Sequence, residues 1–563
     1  MKYISVRNAN NNNLKDVRID IPLRQYVVFV GKSGSGKSTL AADVIVGGAL
    51  VNSPNVKVPV QPALFRQRVE VPKNADTVRQ YLSGNTRGGT TVLNFLLNSK
   101  TVDNAALISE VAKTIGIGGI KLNSSVSGLS LTEYNKLRFI KLLIQTKSTI
   151  LVEDELAAGM SFFEAEALSV ALKLLVDNGY SILAIEHSLP LIAKADFVVE
   201  MGPDAGTRGG KVMFCGSLEE YKSTDSWKKT VTALNKTLPA VKPNRRYLKI
   251  CSIDYHGLQI PELTFPSSCV VNIIGASGTG KSTLLDIVFR SFDKSVNAWK
   301  NRDGINGEIG GKSYVRRPYL IDQSPIGNNA MSSPATYTKI MDILRDLYAQ
   351  TALSNNLKYT SADFSYNSTG KCEACGGRGV VEISTESDTL FDTCRICKGK
   401  RFRKDLDKVL VEGLTIGDVL KSPCGDLSSK FVTRKTLRSK IGFISDVGLS
   451  YLTLGQPSTS LSGGESQRIK ITRELAKKLG DRCLFILDTP SKGLHTLDFA
   501  YVLNMLRRLT DKNNSVLICD NNPYFIKNSD WVVFLDNGKI IYEGIPGSLP
   551  IKIKNKLGIG VKF

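Results

Sequence analysis

Two glycine-rich runs, set in the same register, constrain this chain more than any other feature in it. GKSGSGKST begins at Gly31 and GASGTGKST at Gly275. The offset of 244 residues also carries Leu14 onto Leu258 and Pro22 onto Pro266, so the chain contains an internal duplication. Each run follows a short apolar stretch (YVVFV, VVNII) and precedes a helix-compatible one (TLAADVI, TLLDIVF). That strand–loop–helix context predicts a phosphate-binding loop. Glycines let the backbone turn tightly, so that successive N–H groups face phosphate oxygens. The helix N-terminus adds the positive end of its dipole. Gly31, Ser33, Gly34, Gly36, Lys37, Ser38 and Thr39 are thus expected to bind one ATP. Gly275, Ser277, Gly278, Gly280, Lys281, Ser282 and Thr283 are expected to bind a second. Lys37 and Lys281 would reach the β- and γ-phosphates, and Ser38 and Ser282 would hold Mg²⁺.

Two further blocks repeat. Val111 to Glu133 aligns without gaps on Phe443 to Glu465. The later copy ends in LSGGESQR, the signature loop of ABC ATPases, where Ser462, Gly463 and Gly464 are expected to cap a γ-phosphate held by the opposite half. The earlier copy, LSLTEYNK, keeps Leu129, Ser130 and Glu133, but Leu131 and Thr132 replace the glycines. Alone it would read as a polar helix start. Its register marks it as a worn signature. At an offset of 334, TILVEDE matches CLFILDT, Asp154 falls on Asp488, and His187 falls on Asn521. The expected fold is α/β: two fused ABC-type P-loop ATPase domains with helical signature subdomains and a zinc-binding module inserted in the second. Half I spans 1–222 (P-loop 31–39, signature 129–133, Walker B 149–155). A linker covers 223–246. Half II spans 247–563 (P-loop 275–283, signature 461–465, Walker B 484–489), with the insertion at 340–430.

The two ATP sites are not chemically equal. Site one joins Lys37, Gln67, Asp154, Glu155 and His187 to the intact loop at Ser462. Glu155 can polarise the attacking water, and His187 can contact the γ-phosphate. Site two joins Lys281, Gln323 and Asp488 to the worn loop at Ser130, with Thr489 where Glu155 stands and Asn521 where His187 stands. A threonine hydroxyl is no general base near neutral pH, and a positioned base is worth roughly 10²–10⁴ in rate. Site one is expected to hydrolyse ATP and site two to retain it. The plainer alternative is two slow sites sorted by chance.

Cys372, Cys375, Cys394 and Cys397 form two CxxC pairs separated by 18 residues, the spacing of a structural four-thiolate zinc site. The insertion that carries them explains a length difference. From P-loop to signature is 98 residues in the first half and 186 in the second. The net charge of +22 suggests a polyanionic partner, though a lysine-rich solubilising surface has the same composition. Basic residues gather at Lys398, Lys400, Arg401, Arg403 and Lys404, resembling a surface for phosphate-backbone contact. A solvated helix face is the plainer reading. No run of eighteen apolar residues and no secretion-type N-terminus occurs, which predicts a cytoplasmic protein without membrane partners.

The chain resembles the UvrA family of DNA-damage-recognising ATPases. IDQSPIGNNAMSSPATYTKIMDILRDLYAQT, KCEACGGRG, CKGKRF, DVGLSYLTLGQPSTSLSGGESQR and FILDTPSKGLH carry the resemblance. It implies an ATP-dependent DNA-binding protein that recognises or clamps damaged or drug-modified duplex, has no nuclease activity of its own, and forms a homodimer. It also implies zinc-module residues at the DNA surface. Full-length members carry a long insertion with a UvrB-docking domain between the first P-loop and its signature. Only 98 residues occupy that interval here, which speaks against UvrB as a partner and suggests a shortened paralogue. DNA protection or antibiotic self-resistance is the role such paralogues suggest. Three other classes compete: an ATP-gated scaffold, a ribosome-associated regulator, disfavoured by the zinc insertion and the short join between halves, and a transporter motor, disfavoured by the zinc module.

Overall fold

The structure is a computed structural model that describes all residues except 1, 12, 67–76, 84–90, 99–101, 205, 240–245, 277, 294–308, 323, 325, 328–330, 385–388, 459–460, 462, 477–480, 511–512 and 560–563. It divides into two compact units, Met1–Leu320 with Asp481–Phe563, and Ile321–Gly480.

The first unit contains two six-stranded sheets with the same strand order. One runs Ala63–Arg66, Ile150–Asp154, Ser181–Ile185, Tyr26–Val30, Phe197–Gly202, Lys211–Ser217. Its first five strands are parallel and the last is antiparallel. The other runs Arg317–Ile321, Cys483–Asp488, Ser515–Cys519, Val270–Ile274, Trp531–Asp536, Lys539–Gly544. In each, the strand before the phosphate loop is central and buried at every residue, as an apolar strand covered on both faces should be. Alternate residues face opposite layers. Val28, Leu151, Ile182 and Ala184 pack toward Leu168 and Leu172 of the helix Phe162–Asp177. Val27, Phe29, Val152 and Leu183 pack toward Leu40 and Ile45, behind the first phosphate loop. Each buried branched aliphatic contributes about 1.5–3 kcal/mol. This double cover fixes the C-terminal strand ends, where the site residues sit.

The segment assigned to a linker is partly folded. Asp225–Asn235 is a helix whose N-terminus is capped by Thr224 Oγ1, accepting from the Trp227 N–H at 3.2 Å. Trp227, Val231 and Leu234 form a stripe at helical spacing against the core of half I. The Leu238 N–H donates to Asn528 Oδ1 at 2.6 Å. The stripe is the physical reason: it gives this stretch an apolar face to bury.

In the second unit, the helices Ile340–Ser354, Lys435–Asp446 and Gly463–Ala476 accompany a hairpin of Val380–Ser384 and Thr389–Thr393. Lys435–Asp446 buries Leu437, Ile441 and Ile444 and leaves Lys435 and Arg438 exposed. Among the described residues, no helix is long and apolar enough to cross a membrane.

Candidate nucleotide sites and cysteine centre

Both glycine-rich runs form the expected loops. Gly31 and Gly275 have φ of +131° and +156°, and a Cβ there would lie 2.2 Å from the Met201 carbonyl oxygen and 2.1 Å from that of Leu535. Only glycine fits such an approach. Lys37 Nζ donates to the carbonyls of Gly31 at 2.8 Å and Lys32 at 2.9 Å, and Lys281 Nζ to those of Gly275 at 2.8 Å and Ala276 at 2.6 Å. Each ammonium is thus arched over its own loop. Ser38 Oγ donates to Asp154 Oδ1 at 3.3 Å, and Ser282 Oγ to Asp488 Oδ2 at 2.7 Å. A hydroxyl oxygen beside a carboxylate is a donor set that suits a hard divalent cation, so these two pairs fit Mg²⁺. Burial pushes the Asp154 carboxyl up, against the pull of Lys37 and Ser38.

The residues after the two strand-ending acids share one backbone. Glu155 and Thr489 have φ of +52° and +45°. Their N–H groups donate to Ile185 O at 3.0 Å and Cys519 O at 2.8 Å, equivalent positions in the two sheets. Left-handed backbone in a non-glycine residue is unfavourable and clusters at functional sites. The side chains differ. His187 Nε2 lies 3.8 Å from Glu155 Oε1. Thr489 Oγ1 donates to Asp488 Oδ1 at 2.9 Å, and Asn521 Oδ1 accepts from the Gly275 N–H at 3.1 Å. Gln67, Ser277, Gln323 and Ser462 lie outside the described residues.

One pair of functional positions escaped the sequence reading. Glu186 and Asp520 immediately precede the His187 and Asn521 positions. Glu186 Oε1 accepts from the Ala157 N–H at 2.9 Å, and Asp520 Oδ2 from the Ser491 N–H at 2.8 Å. Each acid ties the loop that follows its Walker B strand. Burial raises Glu186 to about 8 and Asp520 to about 6, against hydrogen bonds that favour the charged form. An acid immediately before His187 and before Asn521 was the available signal.

Elements of each half also approach the other half's site within the first unit. Ser130 caps the helix Leu131–Gln145 through a reciprocal box with Glu133. The Glu133 carboxylate lies 4.0 Å from where a Cβ of Gly278 would stand. Conversely, a Cβ at Gly493 would lie 3.4 Å from Glu155 Oε2, and the His495 ring meets the His187 ring edge-on at 6.0 Å. In the second unit, Gly463 and Gly464 open the helix Gly463–Ala476.

Cys372, Cys375, Cys394 and Cys397 are all buried, with their sulfur atoms within 4.8 Å of one another. The two knuckles are built alike. Arg378 N–H donates to Cys375 O at 3.0 Å and Lys400 N–H to Cys397 O at 2.9 Å, each three residues after the second cysteine of its pair. Gly379 N–H donates to Cys375 Sγ at 3.2 Å. Four converging thiols, without a fifth protein ligand among the described residues, fit a closed zinc site. The orphaned guanidinium of Arg401 supports the fit. It is 2% exposed, its terminal nitrogens have no hydrogen-bond partner, and Cys375 and Cys397 are among its electrostatic neighbours. Zinc with four thiolates carries a net negative charge, which such a cation would balance.

That placement corrects the surface role expected of Arg401. Its guanidinium lies 4.8 Å over the Tyr366 ring, inside the module, because aromatic stacking and the cysteine cluster together hold it there. Lys400 pairs with Asp418 at 2.9 Å, and Arg403 with Asp363 at 3.0 Å and Asp405 at 3.2 Å, so their charges are partly neutralised. Lys398 and Lys404 are exposed.

Residues 14–158 match the family model described as ABC transporter. The chain is 35% identical over 447 residues to the UvrABC system protein A of Aquifex aeolicus, covering 77% of this chain and 48% of that protein. It is 36% identical over 447 residues to the protein of the same name from Thermus thermophilus, covering 77% and 47%. The chain therefore spans about half the length of the curated relatives it matches. The crystal structure of UvrA2 from Deinococcus radiodurans superposes with a TM-score of 0.82 at 21% identity, covering 97% of this chain and 98% of that one, and so shares its fold. With its paired phosphate loops, its matched sheets and its cysteine centre, the chain is similar to UvrABC system protein A over about half of that protein's length and shares the fold of UvrA2.

Proposed function

We propose that this chain is an ATP-controlled DNA-binding protein with one hydrolytic and one retaining ATP site. The observation that carries the reading is the pair Glu155 and Thr489: the same left-handed backbone carries a carboxylate at site one and a hydroxyl at site two. At site one, Glu155 orients the attacking water and accepts its proton, while His187 steadies that geometry. Lys37 draws charge from the γ-phosphate as the bond to the leaving oxygen breaks. Ser38 and Asp154 would hold Mg²⁺, which supplies charge neutralisation at the phosphates. At site two the cradle and the metal-binding pair are retained without the base, which favours holding ATP.

DNA as the partner rests on the resemblance to the UvrA family, on the net charge of +22, and on the exposed Lys398 and Lys404 beside the cysteine centre. We take the ligand to be damaged or drug-modified duplex, bound by a homodimer without UvrB, in a protective or self-resistance role. Independence from UvrB is supported by the first-half interval. Its described helices, Val78–Ser83, Val92–Asn98 and Ala105–Thr114, send Val78, Val92, Phe95 and Ile108 into the half's own core.

Fluorescence-anisotropy titration of a labelled duplex, with and without one bulky adduct, tests this reading. Runs at two salt concentrations, with ATP and without nucleotide, should show salt-sensitive binding that favours the adduct and responds to ATP. Absence of DNA binding contradicts the reading, and binding without adduct preference reduces it to a general clamp.

A further inference from the structure

Residues 203–210 join the last two strands of the first sheet, Phe197–Gly202 and Lys211–Ser217, where Asn537 and Gly538 alone join their counterparts in the second. The two connections end alike. The Lys15 N–H donates to Gly210 O at 2.9 Å and the Gln259 N–H to Gly538 O at 2.8 Å, and Lys15 and Gln259 are matching positions of the duplication. Half I thus adds residues 203–209 ahead of a shared glycine. The addition lies against the first phosphate loop. The Gly206 N–H donates to Gly34 O at 2.9 Å, and the Gly210 N–H to Ser35 O at 3.0 Å. Asn13 Nδ2 donates to Gly34 O at 3.0 Å and to Gly206 O at 3.3 Å, tying the loop and the addition together. Asp204 pairs with Lys32 Nζ at 3.0 Å. In half II, Gly257 stands at the position of Asn13 and Ala276 at that of Lys32.

The tethered atoms are carbonyl oxygens, and that choice has a consequence for catalysis. In a planar trans peptide, the C=O and the N–H that follows it point in opposite directions. Holding Gly34 O therefore aims the Ser35 N–H, and holding Ser35 O aims the Gly36 N–H. These are N–H groups that a phosphate loop turns toward its phosphates. Donors aimed in advance stabilise charge that develops in the transition state, without reorganising as it forms.

We propose that residues 203–210 and Asn13 are a tether that pre-aims the phosphate-facing amides of site one, with Asn13 and Asp204 as positioning residues for hydrolysis there. The inference rests on the assignment of hydrolysis to site one. It adds a second difference between the sites: site two keeps a loop that can hold ATP, without the tether that tunes such a loop to the transferring phosphoryl group.

The test uses the full chain with Mg²⁺ and ATP, and reads kcat, KM and the affinity for ADP with orthovanadate, which mimics the transferring phosphoryl group. Asn13→Ala should lower kcat about fivefold, the scale of a lost neutral hydrogen bond, and weaken the vanadate complex by a similar factor with little change in KM. Asn13→Asp keeps the shape but sets an acceptor against two carbonyls, so its loss should equal or exceed that of Asn13→Ala. Asp204→Asn, which frees Lys32, should lower kcat in the same sense. Replacing residues 203–209 by one Asn, the connection of half II, should cost more than any of these. Wild-type kcat in Asn13→Ala overturns the inference. So does a raised KM at unchanged kcat, because the addition then serves binding alone, and so does wild-type activity in Asn13→Asp, because the donated hydrogen bonds are then irrelevant. Glu155→Gln runs alongside. Undiminished turnover there overturns the assignment of site one, whereas loss in Glu155→Gln beside an unaffected Asn13→Ala overturns only the tether.

Discussion

Asn521 accepts a hydrogen bond from the backbone N–H of Gly275, 3.1 Å away, at the turn that opens the second phosphate loop. At the matching place in half I, His187 instead faces Glu155. Asn521 therefore braces its own phosphate loop, whereas His187 addresses a carboxylate. Asn521→Ala removes the brace. A neutral hydrogen bond is worth about 0.5–1.5 kcal/mol net, so ATP should leave site two faster by a factor of about 2–10. A chase of labelled ATP from the Glu155→Gln background measures this directly.

Glu186 predicts a pH dependence. Burial raises its carboxyl from 4.5 to about 8, so between those values the folded state holds a proton that the unfolded chain releases. Stability from this group is present below about 4.5 and is lost as pH rises through about 8. Glu186→Gln keeps an oxygen to accept from Ala157 but does not titrate. Relative to the variant, the wild type should lose stability across that window, by an amount on the order of a few kcal/mol. Urea unfolding at pH 5 and pH 8 checks it; parallel curves for the two proteins would contradict it.

The cysteine centre predicts about one zinc per chain by elemental analysis. Removing it with a chelator, or substituting Cys397→Ser, should increase amide exchange in residues 371–403 while leaving Tyr26–Val30 and Val270–Ile274 protected, because those strands belong to the other unit. Equal exposure throughout would contradict the module's independence.

Arg401 and Lys398 should part company in DNA binding. Lys398→Ala and Lys404→Ala should each lower the salt dependence of binding by about one counterion and weaken all duplexes alike. Arg401→Met should instead lower zinc retention, with any DNA effect following the loss of metal. Measuring zinc content and the slope of log K against log salt for all three separates the two roles.

Much of this molecule was legible because a duplication lets one copy interpret the other. LSLTEYNK means nothing alone, yet its register with LSGGESQR points to the phosphate loop of half II, and Glu133 lies 4.0 Å from the Cβ position of Gly278. The thiol pairs were legible because ligand spacing is set by metal geometry. Charge runs were less so. KGKRFRK reads as one basic stretch, but Arg401 turns inward on Tyr366 through a residue at φ +72°, a backbone choice that no pattern of charges encodes. The helix at Asp225–Asn235 hid behind lysines and threonines that lower its apparent order, although its stripe of Trp227, Val231 and Leu234 was present.

The most direct test of two unequal sites is a single-turnover experiment. The chain is loaded with ATP at both sites, unbound nucleotide is removed, and the bound species are counted after several turnover times. The account predicts that about half of the bound nucleotide remains ATP in the wild type and that nearly all remains ATP in Glu155→Gln. Conversion of both nucleotides to ADP in the wild type, or continued hydrolysis in Glu155→Gln, would contradict it.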